Sequence, residues 1–169
     1  LDTYKGIDFI WLATSNGISK FDGSNFTNYS KNLGLPAKLV TAIHVDRNNS
    51  DVVWTGSEKS GLTRYDKDGF FNFATQDGLP SNSIRDITQS KNGDLIIACY
   101  NAGVVKYNGK SFKLFNKGLA DKRVILVTNG PEGSIWTGTE SAGIGILKNN
   151  EFEMVIDSDG LGHNEIFSL

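Results

Sequence analysis

The 169-residue sequence predicts an all-β chain of repeated four-stranded sheets, on three observations. A phrase made of an apolar strand with a tryptophan or its substitute, a small polar turn and a glycine occurs four times, at residues 10–17, 53–61, 95–103 and 135–143. A second signature, Gly-Leu, stands at Gly34-Leu35, Gly78-Leu79, Gly118-Leu119 and Gly160-Leu161, so the anchors recur at spacings of 44, 40 and 42 residues. Between anchors the apolar residues alternate, or run in groups of four to six bounded by Gly, Asn and Asp, which is the pattern of short strands and tight turns. A period of that length, filled by four antiparallel strands, is one blade of a β-propeller.

The units follow one another as about 1–43, 44–87, 88–127 and 128–169, forming one domain or propeller section over 1–169. The first unit shows strands only from about Phe9 onward and lacks the inner strand that opens each later unit. The second carries Val53-Trp54-Thr55-Gly56 and a Gly61 that ends its polar turn. The third serves as the template, with strands expected near 83–88, 95–100, 103–107 and 111–115. The stretch 120–128 is the best candidate for a helix, but its run Val124-Ile125-Leu126-Val127 is β-branched and aligns with strand residues elsewhere, so it reads as a strand. Turns at Asp22-Gly23, Asp68-Gly69, Asn92-Gly93 and Asn108-Gly109 supply the positive φ of tight hairpins. Residues 166–169 align with 40–43, 84–87 and 124–127, the start of an inner strand. A strand from the C-terminus is therefore able to complete the first blade, giving a closed four-bladed ring; the other outcome is a section of a larger propeller.

Composition excludes several function classes. A net charge of -2 with 21% charged residues offers no basic field for nucleic acid or anionic lipid. The longest apolar run, 95–100, is far short of the roughly 20 residues of a membrane-spanning helix. Cys99 is the sole cysteine and reads as a small core residue inside a strand. No Gly-x-Ser-x-Gly elbow or phosphate loop is present, and the histidines are His44 and His163 alone. The position of Asp86 is filled by Ala42, Leu126 and Ser168 in the other units, so no ring of paired carboxylates faces the axis. Asp157-Ser158-Asp159-Gly160 reads as an ordinary turn because Ser168 stands where a calcium loop needs its last carboxylate. No catalytic residue, metal ligand or cofactor is assigned.

The residues resemble the two-component regulator propeller family, whose repeat runs Gly-Leu-Pro, a polar residue and Asn, an apolar strand, then Asp or Asn-Gly and Trp-x-Gly-Thr. Gly78-Leu79-Pro80-Ser81-Asn82-Ser83-Ile84 with Asn92-Gly93 matches the first half, and Gly133-Ser134-Ile135-Trp136-Thr137-Gly138-Thr139 the second. The third unit departs with Ile-Ile-Ala for Trp-x-Gly, and proline follows only two anchors, at Pro36 and Pro80. The resemblance implies the ligand-sensing propeller of a bacterial extracytoplasmic signalling receptor, periplasmic or otherwise outside the cytoplasm, with a small polar ligand such as an oligosaccharide as its partner. A protein-interaction scaffold, with a protein partner or self-association, is the second reading, and a propeller lyase or hydrolase the third.

Function is sought where the repeats disagree. Trp11, Trp54 and Trp136 recur at one strand position and are assigned to packing between sheets. The turns before the repeated glycine carry Glu58, Tyr100, Asn101 and Glu140, and the loops leading into the inner strands carry Lys38, Asn82, Arg123 and Asn164. Both sets are expected on one face, as the polar lining of a shallow ligand-binding pocket.

Overall fold

The computed structural model describes residues 9–169. They form four antiparallel sheets in chain order. The first has three strands, β1 (Ile10–Thr14), β2 (Gly17–Phe21) and β3 (Phe26–Tyr29). The second contains β4 (Val40–Val45), β5 (Val53–Ser57), β6 (Leu62–Asp66) and β7 (Gly69–Phe73), and the third β8 (Ile84–Gln89), β9 (Leu95–Cys99), β10 (Gly103–Tyr107) and β11 (Phe112–Phe115). The fourth holds β12 (Val124–Asn129), β13 (Ile135–Thr139), β14 (Ile144–Lys148) and β15 (Glu151–Val155). In each sheet the strands pair with their sequence neighbours, as in a propeller blade, and the inner strands β4, β8 and β12 lie beside one another. The four expected strands of the third unit are all formed, within a residue of their expected bounds.

Single 3-10 turns, which sequence periodicity does not reveal, precede three of the Gly-Leu anchors, at Lys31–Leu33, Thr75–Asp77 and Asp157–Asp159. Asp77 and Asp159 each accept the backbone N–H of the residue before the turn, at 2.9 and 3.1 Å from Ala74 and Ile156. The Asp157–Asp159 segment is thus the structural twin of Thr75–Asp77.

The core lies between sheets. One cluster joins the second and third through Trp54, Leu62, Ile84, Leu95, Ile97 and Tyr107, and another joins the third and fourth through Ile96, Val104, Val124 and Phe152. Trp11 meets Tyr65 of the next sheet edge-on at 5.8 Å, and Trp54 meets Tyr107 likewise at 5.8 Å. The repeated tryptophan is therefore a joint between blades, and such aromatic pairs add roughly 0.5–1.5 kcal/mol beyond their buried area. Cys99 is fully buried, and burial pushes its thiol up to about 12.

The glycine of Trp-x-Gly has a steric reason. A Cβ on Gly56 would run into Ile84, the first residue of the next inner strand, and one on Gly138 would stand 2.9 Å from Ile166 Cγ2. Each inner strand opens by seating an aliphatic side chain on the sheet before it. Residues 166–169 do not form the strand that a closed four-bladed ring requires; Ile166 is instead seated on the fourth sheet, its N–H 3.4 Å from the Thr139 carbonyl. Among the described residues β1 has no strand paired along its inner edge, and Ile10 and Leu12 stay 41% and 40% exposed where their counterparts Val53 and Thr55 are buried. The sheets form an open array.

Polar ties reinforce the joints. Thr41 donates to the Ile84 carbonyl at 2.6 Å, and Asp86 accepts the Val127 N–H at 2.9 Å. Gln89, fully buried, donates to Asp46 and to the Gly93 carbonyl and accepts the Arg47 N–H. His44 Nε2 lies 3.4 Å from Gln89 Oε1. Burial holds the His44 imidazole below its ordinary 6.5, with Arg47 acting in the same sense, while Gln89, Asp46 and Asp86 oppose. The unfolded chain therefore takes up this proton first, so the contribution of His44 to stability is lost as pH falls below about 6.5. Urea unfolding at about pH 7.5 and 5.5 should show a loss at the lower pH that His44→Asn diminishes; equal slopes would refute this assignment.

Candidate functional site

Each complete sheet has a register shift at the same place on its inner strand, between Val40 and Ala42, Ile84 and Asp86, and Val124 and Leu126. The bulged residues are Thr41, Arg85 and Ile125. A bulge re-aims the side chain that it frees. In the third sheet that side chain is an arginine, directed to the turns that carry Glu58 and Tyr100.

There the structure brings four of the expected residues into one connected array. Arg85 Nη2 lies 3.6 Å from Glu58 Oε1, and its guanidinium sits over the Tyr100 ring, 4.6 Å from the centroid. The Tyr100 hydroxyl donates to Glu140 Oε2 at 2.9 Å, and Arg123 Nη1 reaches the same oxygen at 2.7 Å. Arg123 also donates from Nε to Asp121 at 2.9 Å and from Nη2 to Ser141 Oγ at 2.7 Å. The array runs from the turn of the second sheet, across the third, to the turn and the inner-strand loop of the fourth.

The electrostatics follow the contacts. The hydrogen bond to the Glu140 carboxylate, with burial adding to it, raises the Tyr100 phenol above its ordinary value. Burial pushes the Asp121 carboxyl up, but hydrogen bonds from Arg123 and Ser141 outweigh it and hold the group below the usual carboxylate range. Arg123 is raised in turn, chiefly by Asp121. At neutral pH the array is a row of alternating charges with one neutral phenol in its centre.

The other expected residues have different surroundings. Asn82 Oδ1 accepts the Thr75 N–H at 2.9 Å, and Asn164 Oδ1 accepts the Asp157 N–H at 2.8 Å. Their carbonyls receive the N–H of Gly61 and Gly143. Both asparagines thus clamp a 3-10 turn to the next loop, a packing duty that the variable-loop argument did not separate from ligand contact. Asn101 is exposed at the apex of its turn, at φ 62. Lys38 occupies the same repeat position as Asn82 and Asn164, but is exposed and lines a cleft of about 320 Å³ with Lys31, Pro36, Ser57, Glu58 and Lys59. Glu58 belongs to both cleft and array.

Arg85 and Asp121 were missed as site residues. The signal for Arg85 was present, since its repeat counterparts are Thr41, Ile125 and Phe167, but the strand position concealed it. Among the described residues no group of three or more His, Cys, Asp or Glu is placed to hold a metal ion, and no helix is long and apolar enough to cross a membrane. His163 Nδ1 accepts the Glu165 N–H at 3.1 Å in an exposed loop.

No family model matches the chain, and no curated protein does. Solved structures do. The extracellular domain described as that of a hybrid two-component system from B. thetaiotaomicron superposes with a TM-score of 0.78 at 22% identity, covering 88% of this chain and 23% of its own. One described as that of a one-component system from the same organism gives 0.74 at 18%, covering 95% and 23%. Virginiamycin B lyase from Staphylococcus aureus gives 0.70 at 16%, covering 90% and 53%. The likeness shows a shared all-β, propeller-type fold, and this chain spans about a quarter of the first two structures.

Proposed function

We propose that this chain is the non-enzymatic, ligand-sensing part of a propeller in a bacterial extracytoplasmic signalling receptor, and that it binds a small polar ligand such as an oligosaccharide. The observation that carries the reading is the connected row Glu58, Arg85, Tyr100, Glu140 and Arg123, which joins variable loops of three successive sheets on one face. Such a row offers many donors and acceptors beside one aromatic ring, the equipment for hydroxyl-rich ligands. The fold shared with extracellular domains of signalling systems supports the same reading.

The mechanism is a population shift. A ligand that spans the turns of the second, third and fourth sheets favours the relative sheet positions in which all its contacts are made, and an output is biased only by that difference. Calorimetry against a panel of oligosaccharides tests the reading. At least one should bind, and Tyr100→Ala should weaken it about tenfold or more, or ~1.4 kcal/mol. Absence of heat with every sugar, together with a stoichiometric protein partner, would favour the scaffold instead.

A further inference from the structure

The cations on this face fall into two groups. Arg123 is fully engaged, by Asp121, Ser141 and Glu140. Arg85 is not: its Nε is enclosed with no acceptor, and its one carboxylate neighbour, Glu58, stands at 3.6 Å, beyond hydrogen-bond length. Lys31, Lys38 and Lys59 line the cleft that Glu58 also borders, and among the described residues none has a carboxylate within ion-pair distance. Glu58 is the single acid of that lining.

Two of these cations stand at repeat positions where another copy makes a structural contact. Lys38 stands, as Lys122 does, where Asn82 and Asn164 clamp a 3-10 turn, so the second sheet lacks that clamp and carries an exposed charge. Arg85 stands at the bulge where Thr41 makes the tie to the next inner strand. The chain as a whole carries -2, so a local excess of unpaired cations around one carboxylate does not follow from basic composition.

Resting on the proposed saccharide reading, we infer that the ligand of this face is anionic: an oligosaccharide bearing a carboxylate or sulfate group that takes the place of Glu58 beside Arg85. Arg85 offers a planar fork already held against the Tyr100 ring, which suits bidentate capture of an oxyanion. Lys38 and Lys59 add point charges around the cleft, and the Tyr100 hydroxyl and Asn101 remain for the neutral hydroxyls of the same ligand. Binding exchanges a long, half-exposed contact for a short charge-assisted one.

The test is calorimetry on the whole chain with three oligosaccharides of matched length: neutral, uronate-containing and sulfated. At least one acidic ligand should bind roughly tenfold or more tighter than the neutral one, and the difference should shrink as salt rises from about 50 to about 500 mM. Arg85→Gln and Lys38→Asn should each reduce the preference while the thermal midpoint stays near wild type; Lys38→Asn introduces the residue that Asn82 and Asn164 supply at this repeat position, so it remains informative if Arg85→Gln misfolds. Uronate-only preference assigns the carboxylate, sulfate-only the sulfate. Equal binding of neutral and acidic ligands, or a preference untouched by both variants, overturns the inference and leaves the saccharide reading in place. No binding to any of the three overturns both.

Discussion

Replacing Gly61 by alanine is expected to cost about 3–4 kcal/mol of stability, a large value for one methyl group. Gly61 has φ +80, in the left-handed region, and a Cβ there would overlap the Phe73 carbonyl and approach Leu79 Cδ2 to 3.2 Å. Neither obstacle yields easily. Phe73 is paired with Leu62 in the β6–β7 ladder, and Leu79 is buried in the core. The Gly61 N–H also donates to the Asn82 carbonyl at 3.0 Å, so a shift of this backbone breaks the link to the next loop. Gly69 is the control. Its φ is +115, yet a Cβ would meet nothing within 4 Å, so Gly69→Ala should cost only the backbone term of ~1–2 kcal/mol. Urea unfolding of both variants separates strain from collision, and equal losses would show that collision contributes nothing.

The second large effect is a coupled one. Gly56→Ala should destabilise by about 1–3 kcal/mol, because the added methyl enters the space of Ile84. The repeat indicates the remedy: glycine at this position faces isoleucine, as Gly56 faces Ile84 and Gly138 faces Ile166, whereas the third sheet has Ala98 beside Val124. The atom nearest the added methyl is Ile84 Cγ2, so Gly56→Ala combined with Ile84→Ala, which removes that atom, should cost less than the sum of the two single losses. The double-mutant cycle should give a favourable coupling of at least about 0.5 kcal/mol, and additive losses would refute the volume rule.

Much of the fold was legible because repetition turns weak local signals into aligned ones. Ile96 could be placed with the tryptophans although it is not aromatic, and Val124-Ile125-Leu126-Val127 could be assigned to a strand, because neighbouring repeats fixed the register. The 3-10 turns were not legible, since three residues hold no period and their signal is a single backbone contact from Asp77 or Asp159. The C-terminal segment was harder. Residues 166–169 have the pattern of an inner strand, but a pattern cannot say whether a partner strand lies within reach.

The candidate site was legible in part for a related reason. Sequence variation among repeats marked Glu58, Tyr100, Glu140 and Arg123, which the structure joins. It also marked Asn82 and Asn164, whose side chains face backbone N–H groups of a nearby turn; variation shows that a position is free to change without showing what occupies it when it does not. Arg85 was hidden by a bulge, a feature visible only once strand is paired with strand.

The seating of Ile84 on Gly56 and of Ile166 on Gly138 has a consequence for what counts as a unit. Hydrogen bonds draw the boundary of a sheet before its inner strand, but the side chain that opens that strand is fastened to the sheet behind it. The array is lapped like roof shingles, each course nailed through the edge of its predecessor. The modular piece of this protein is therefore the joint and not the blade, and any scheme that adds, removes or exchanges blades preserves the material only if it cuts between fasteners.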